Sequence, residues 1–580
     1  MPTAEPSTAR TAAPGHQQTG WASLYVHLHC DTATTDAFLT EDLAPLLDGL
    51  VARGEAAAWF FIRYGEGGPH LRVRVRDPHP RALRELPDAL SRAAAARPAT
   101  SGPWPSAHAE VREVPYVPET ERYGGPPALP VAEDVFVAST RAAVAALRAL
   151  AAGPRADRLT LAADAVHTTV HALGLDPLRA GRLLRAHAAG WRWITEVPLL
   201  PGRTVHARVN TVFAAQHTAL RRRADALREG LDRGTAPPWQ RDWAAAVTAA
   251  DHRLTALHDT PLPWVWASQL HMLLNRLGVT PDEERAVCRL AARTALEPDG
   301  PGPFFTDGHD APDRRYLEHS KYPVGALDDT AVRPGTGSAV PAPSPHEHAL
   351  PHGPLPDVSL AAALTSRTST RTRLAGPLDA RTLGTLLWGA LAESHVSELR
   401  LPDGDVRTTV HRPYPSAGAL YTARLRLLAL GVDGLPPATY EVVPERRVLR
   451  PLGPAPDREA VRALSNYFSQ PADDPDGIVV DDTPALLALH LDLGVLRRRY
   501  GLRALRLGLL ESGHLAQTLL LAAAALGLAT VPVSGFHDDL AAELLGLDAT
   551  DQPLQYLLPL GTRAPVPGAG PAQADPASGG

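Results

Sequence analysis

At 580 residues the chain is too long for one hydrophobic core, so at least two domains are expected. Hydrophobic residues make up 44% and charged residues 21%, the balance of a soluble globular protein, and a net charge of -6 gives bulk electrostatics no reason to favour nucleic acid. Cys30 and Cys288 are the only cysteines, which excludes a disulfide framework and a cysteine-rich zinc site and fits a reducing cytoplasm.

Residues 1–19 are polar and rich in Pro, Ala and Thr; they lack the apolar stretch of a secretory signal and are expected to be disordered. Trp21–Leu28 alternates like a strand, Phe38–Arg53 reads as a helix, and Ala58–Tyr64 as a second strand. After the turn Gly65–Pro69, His70–Arg76 alternates strictly. Period two puts His70, Arg72 and Arg74 on one face and Leu71, Val73 and Val75 on the other, which must pack on a core. The basic face is either a solvated edge that blocks aggregation or a set of guanidiniums placed to grip carboxylates. Helices are expected over Val131–Leu150, Ala156–Leu173, Pro177–Trp193 (with Asp176 as cap), Val212–Glu229 and Trp239–Leu257. Ser268–Gly278 carries His271, which on an apolar helix would ordinarily be a satisfied core histidine. A last helix starts at Thr280-Pro281-Asp282-Glu283, with Thr280 as its cap.

The stretch from Glu297 to Asp313 is rich in Pro, Gly and Asp and reads as a linker over 298–312. Residues 325–356 read as a flexible insertion; their His346, His348 and His352 form only a compositional tract, and no metal site is expected. Beyond it come a helix over Leu378–Ala390, a strand over Arg424–Leu430, a hairpin from Thr439–Val443 and Val448–Leu452, and a core strand over Ala485–Leu493. A strongly apolar helix opens at Glu511 and stops at Gly527; its surface is apolar most of the way round, as for burial in a core or between subunits. The run Leu515–Leu528 is too short to span a bilayer, so no membrane is expected. Ala529–Val533 reads as a strand, Ser534-Gly535-Phe536 as its turn, and Leu554–Leu560 as a last strand. The tail after Arg563 is expected to be disordered.

Three segments, in this order, carry a resemblance: Ser366-Arg367-Thr368-Ser369-Thr370-Arg371, Arg412–Tyr421 and the helix from Glu511. Together they resemble the flavin-dependent nitroreductase fold and, within it, the azoline dehydrogenases that make thiazoles and oxazoles in ribosomal peptide natural products. The resemblance covers Tyr316–Arg563. It implies FMN and a homodimer whose flavin sites are each built from two chains. Arg367, Ser369 and Arg371 alternate along an extended segment, and two guanidiniums with a hydroxyl suit a phosphate or ribityl chain; a solvated arginine-rich cap is the alternative. Pro415-Ser416-Ala417-Gly418 and Ser534-Gly535 are turns that let backbone approach the flavin ring, and Arg563 lies where relatives place a further phosphate ligand. The implied reaction takes two hydrogens from an azoline ring: a base removes the proton at Cα and the flavin accepts a hydride. Relatives carry a Lys-Tyr pair where this chain has Arg499-Tyr500. A guanidinium is a poor base, so Tyr500 is expected to take the proton and Arg499 to stabilise its anion or the substrate.

In the first half, WFFIRYGEGGPHLRVRV, ETERYGG and HMLLNRLG resemble the C-terminal domain of lantibiotic dehydratases over Trp21–Leu296. The resemblance implies elimination of glutamate from glutamylated serine or threonine. It places Arg72, Arg74 and Arg122 as carboxylate grips and His271 as base or proton shuttle, and the retained arginines favour elimination over cycloaddition. The expected architecture is therefore α+β: an elimination-like domain over 20–297, the linker, a nitroreductase-like flavin domain over 313–565, and a tail over 566–580. The combination resembles the bifunctional enzymes of lactazole-type thiopeptide pathways. It implies a ribosomally made precursor peptide (leader and core), a cyclodehydratase and a glutamylating dehydratase as partners. A second reading keeps only the dehydrogenase active and makes the first half a peptide-binding scaffold. A third is a general flavin reductase.

Overall fold

The computed structural model describes residues 20–563 apart from 154–156, 195–196, 259–261, 298, 301, 303–307, 309–310, 325–339, 372, 402–403, 472–473 and 475–476. The expectations for residues 1–19, 325–339 and 566–580, and part of the linker, lie outside the described residues. The chain divides into two units, Met1–Trp191 with Ala207–Pro301, and Arg192–His206 with Gly302–Gly580.

The first unit is built on four antiparallel strands, β1 (Trp21–His27), β2 (Ala58–Tyr64), β3 (His70–Arg76) and β4 (Val111–Glu113), in the order β2-β3-β1-β4. On one face Leu24, Val26, Phe61, Leu71, Val73 and Val75 pack against Phe38, Leu39, Leu43 and Leu47. The helix carrying these runs from Thr32 to Ala52 through a π-helical turn at Phe38–Leu43. A helix that the sequence reading missed, Pro80–Ala95, adds Ala82, Leu86, Leu90 and Ala94 to the same layer at a spacing of four. The alternation of β3 thus does what its pattern requires. Its basic face is not a solvated edge, however. β3 lies inside the sheet, and His70 and Arg74 are only 4% and 5% exposed. Helices Leu129–Ala151 and Pro263–Arg276 pack on β2, and Phe60 joins Val131, Phe136 and Leu273 in a second core.

The free edge of β2 is closed by a side chain. The Arg63 backbone N–H donates to Asn275 Oδ1 at 2.9 Å, and Asn275 Nδ2 donates to the Arg63 carbonyl at 3.0 Å. An amide side chain so replaces a neighbouring strand, which deals with the unpaired groups of an edge. Helices Arg158–Ala172, Pro177–Gly190, Pro238–His258 and Pro281–Leu296, and the greater part of the long helix Gly202–Asp232, belong to the same unit. Asp176 and Thr280 cap two of them as their residue types dictate, Thr280 in a reciprocal capping box with Glu283.

The second unit holds β5 (His348–Ala349), β6 (Leu374–Ala375), β7 (His395–Arg400), β8 (Val406–His411), β9 (Ala423–Ala429), β10 (Ala438–Val443), β11 (Val448–Pro454), β12 (Ala485–Leu491), β13 (Ala529–Thr530) and β14 (Leu554–Arg563). Its main sheet runs β13-β14-β12-β9-β10-β11-β5, with β6 on β14; every pair is antiparallel. Helices Ala380–Leu391 and Ala504–Ala525 cover one face through Leu383, Leu387, Leu515, Leu519 and Leu520. Val461, Phe468, Val531 and Leu540 cover the other. β7 and β8 form a separate exposed hairpin.

Three expectations are revised here. The long helix begins at Ala504, so Glu511 is an interior, buried residue rather than the opening one. β13 ends at Thr530 because Pro532 has no N–H to continue the ladder, and Val533 makes only an isolated bridge to Leu557. Part of the stretch read as a flexible insertion is β5, the edge strand on β11. In that stretch His348 packs against Tyr440 and His352 bonds the Leu350 carbonyl. Among the described residues no cluster of His, Cys, Asp or Glu could hold a metal ion. No helix among them is long and apolar enough to cross a membrane.

Candidate active sites

In the first unit, the helix Pro263–Arg276 presents His271 to the helix Pro281–Leu296, which answers with Glu284. His271 Nδ1 lies 2.9 Å from Glu284 Oε2. Glu284 is 1% exposed, and its other oxygen accepts from His187 Nε2 at 2.6 Å and from the Trp191 indole N–H at 3.1 Å. Burial alone would raise its pKa; the charge of His271 and the hydrogen bonds from His187 and His271 outweigh it and hold the carboxyl well below the usual range. An ionised carboxylate only accepts, so the nitrogen of His271 that faces it, Nδ1, is the one that carries a proton, and in the neutral ring Nε2 is the nitrogen left to accept one. Arg122, on the turn Thr120–Tyr123, bonds Glu119 at 2.8 Å and Ser268 at 3.2 Å and lies within electrostatic reach of Glu284. His271 and Arg122 are therefore brought into one group.

Arg72 and Arg74 form a second group on the covered face of the sheet. The Arg72 guanidinium sits 3.3 Å from the centre of the Tyr64 ring and 4.8 Å from that of Tyr25, with Nε 3.3 Å from His70 Nε2. With Tyr25, His27, His70, Glu66 and Arg112 it lines a cavity of ≈ 300 Å³. Arg74 is deeper, between the rings of Tyr25 (5.4 Å) and Tyr116 (5.3 Å), and burial lowers its pKa. Tyr116 and Tyr123 link the groups, because Tyr116 faces Arg74 while Tyr123 faces Arg122 and the fully buried Arg276. Burial pushes the Arg276 guanidinium down to about 9.

The sequence reading missed Glu284, His187 and Trp191. A signal was present. Glu284 heads the stripe Val287, Cys288, Ala291 and Ala292, and His187 sits in the stripe Ala180, Gly181, Leu184 and Ala188. Ionisable residues at core positions of amphipathic helices are rarely idle.

In the second unit, Pro415-Ser416-Ala417-Gly418 turns tightly against the helix Ala504–Ala525. Glu511 accepts from the Ser416 hydroxyl at 2.7 Å, the Thr422 hydroxyl at 3.2 Å and the Ala423 N–H at 2.8 Å, and burial raises its pKa. His514 donates to the Pro415 carbonyl at 3.3 Å. Gly418, Ala419 and Tyr421 take φ of 61°, 53° and 49°; strain of this kind persists only where neighbours enforce it. A Cβ on Gly418 would lie 2.5 Å from the Tyr500 hydroxyl and 3.0 Å from Arg499. The turn is thus apposed to the half-buried Arg499-Tyr500 pair, whose guanidinium lies 5.5 Å from the tyrosine ring centre.

The remaining residues are spread along β14: the register that pairs Ala529 with Gly561 and Val533 with Leu557 puts Ser534-Gly535 beside the start of that strand, whereas Arg563 lies at its other end, next to Leu374. The Thr370 N–H donates to the Thr530 carbonyl at 3.0 Å and Thr370 is buried, while Thr368, Ser369 and Arg371 are exposed and Arg367 is half-buried. Ser534 and Gly535 follow four and five residues after Thr530, exposed, with the Gly535 carbonyl bonded by Ser465 at 2.5 Å. The backbone of Arg563 pairs with Leu374; its side chain lies outside the described residues. Two guanidiniums and a hydroxyl within five residues are the donor types that fit a phosphate, and glycine turns without Cβ fit the approach of a flat ring. This donor set suits a mononucleotide cofactor.

Residues 24–295 match the family described as Lantibiotic biosynthesis dehydratase C-term, and residues 364–562 match the Nitroreductase family. A putative nitroreductase of Methanocaldococcus jannaschii is 30% identical over 214 residues, which are 36% of this chain and 95% of that protein. Among solved structures, the pyridine synthase TbtD from thiomuracin biosynthesis is similar at 23% identity and TM-score 0.40, covering 48% of this chain and 98% of its own. The E. coli microcin synthetase McbBCD complex is similar at 20% identity and TM-score 0.27, covering 45% and 85%. The chain belongs to the nitroreductase family through its C-terminal part, and carries a lantibiotic dehydratase C-terminal domain ahead of it.

Proposed function

We propose that the first unit eliminates glutamate from glutamylated serine or threonine in a ribosomally made peptide, and that the second oxidises azolines in such a peptide to azoles with FMN. The observation that carries the first half is His271 held through Nδ1 by the buried, ionised Glu284, with Arg122 close by. Nε2 of His271 takes the proton from the substrate Cα, the Cβ–O bond breaks, and its electron pair leaves with glutamate. Arg122 meets the departing carboxylate, and Arg72 and Arg74 hold the substrate's acidic groups.

The second half rests on the apposition of Gly418 to Tyr500 and Arg499. FMN, when bound, supplies the hydride acceptor. Arg367, Ser369 and Arg371 would hold its phosphate end, with Arg563 as a further contact, and the turns at Pro415–Gly418 and Ser534-Gly535 would leave room for its ring. Tyr500 takes the proton at Cα, with Arg499 beside it to stabilise the anion. A precursor peptide with leader and core, a cyclodehydratase and a glutamylating dehydratase complete the pathway, and the reactions belong to the cytoplasm. A homodimer forms through the helix Ala504–Ala525, whose Leu509 and Leu510 are 49% and 61% exposed.

The test is to incubate the purified protein and FMN with a peptide bearing both a glutamylated serine and a thiazoline. Mass spectrometry should record loss of glutamic acid at the first and of two hydrogens at the second. Oxidation without elimination would leave the first unit as a scaffold. NAD(P)H turnover with no change in the peptide would replace the reading with a general flavin reductase.

A further inference from the structure

Glu284 is held by more than the residue it serves. Its Oε2 is left to His271, whereas Oε1 receives two donors from elsewhere, His187 Nε2 at 2.6 Å and Trp191 Nε1 at 3.1 Å. His187 lies on the helix Pro177–Gly190 and Trp191 directly follows it. That helix packs along the one carrying Glu284, so the two donors are fixed on a neighbouring element. Gly181 brings the pair close: a Cβ there would lie 2.6 Å from Leu296. Trp191 also meets His271 itself, edge to face at 5.1 Å between ring centres.

A carboxylate tied at one oxygen cannot turn freely about its Cγ–Cδ bond. Two N–H donors on Oε1 fix the plane of the group and aim Oε2 at His271. His271 then keeps its proton on Nδ1, and Nε2 remains the ring nitrogen able to accept one. His187 and Trp191 are both distant from His271 in sequence and touch the proposed base only through Glu284 or by ring packing.

We infer that His187 and Trp191 are positioning residues for elimination, which lock Glu284 so that His271 is presented as the Nδ1–H tautomer with Nε2 as base. The inference rests on the elimination reading above. A merely structural contact would affect stability and leave the tautomer alone.

Three variants separate these roles. Trp191→Phe keeps the ring and removes the donor, His187→Leu removes the other donor, and His187→Gln retains an N–H able to reach Glu284. The readout is the imidazole nitrogen spectrum of the full chain labelled at histidine, with the His271 signal identified by its disappearance in His271→Gln. Wild type and His187→Gln should show His271 as the Nδ1–H tautomer. Trp191→Phe and His187→Leu should show a mixture. On a glutamylated peptide, kcat should fall about 10-fold in each and up to about 10²-fold in the double variant, the scale of a small misplacement, with KM little changed and His187→Gln near wild type.

An Nε2–H tautomer in wild type, or an unchanged one in the double variant, would overturn the inference. If wild type releases no glutamate, the elimination reading fails and the spectra still decide the positioning. If it releases glutamate and the variants do so at full rate, the positioning fails and elimination stands. Should His187→Leu unfold, Trp191→Phe decides by itself.

Discussion

Burial pushes the carboxyl of Glu284 towards protonation, and two histidines reverse that. A carboxylate depressed in the folded state contributes stability that is fully present above its unfolded value, about 4.3 for glutamate, and is lost as pH falls through the folded value. Urea unfolding followed downwards from about pH 6 should therefore show stability declining below about pH 4 more steeply in wild type than in Glu284→Gln. Equal slopes would mean that the carboxyl is not held ionised. Gly418 poses a different residue-level problem. With φ of 61° and a Cβ position 2.5 Å from the Tyr500 hydroxyl, a side chain there would be strained and would have to push the ends of Tyr500 and Arg499 aside. Gly418→Ala should cost about 1–2 kcal/mol in backbone strain. By displacing Tyr500, it should also slow azoline oxidation by up to about 10²-fold; an unimpaired oxidation rate would separate the turn from the reaction.

At the scale of elements, β2 ends the sheet of the first unit and Asn275 closes it. Asn275→Ala leaves a backbone donor and an acceptor unpaired, at about 1–3 kcal/mol for each group that stays dry. The expected result is a lower urea midpoint with an unchanged slope. Asn275→Asp should also destabilise, because it loses the donor to the Arg63 carbonyl. The helix Ala504–Ala525 divides its surface. Leu515, Leu519 and Leu520 are buried in its own unit, whereas Leu509 and Leu510 face outward. If the outward stripe is the contact between two copies, Leu510→Glu should convert a dimer to a monomer in light scattering, since a charge desolvated without a partner is costly. A variant that stays dimeric would move the interface elsewhere.

At the scale of the whole molecule, the two proposed reactions draw on residues of different units and should separate. His271→Ala should leave glutamylated peptide unreacted while azolines still lose two hydrogens. Tyr500→Phe should do the reverse and keep the yellow colour of bound FMN, its oxidation falling within the ~10²–10⁴-fold range of a lost general base. Mass spectra of one doubly modified peptide read both outcomes. If either variant abolishes both reactions, the units do not act independently.

Local sequence governs what depends on neighbours a few positions away. The alternation of β3 set which side chains enter the core. Asp176 and Thr280 set two helix starts, and Gly527, with φ of 70°, set a stop. The resemblance of short motifs marked both domains. Contacts between distant positions come from the packing of the elements. Asn275 meets a strand edge 212 residues away, and His187 reaches a carboxylate 97 residues on. The Pro415–Gly418 turn reaches Tyr500 and Glu511 through the packing of one helix on the sheet. Packing also decided that the face of β3 with three basic side chains is covered rather than solvated, and that Arg72 and Arg74 sit apart from Arg122 and His271, joined through tyrosines. Periodicity fixes which way a side chain points. What it meets there depends on which elements the cores bring together, and no local pattern records that.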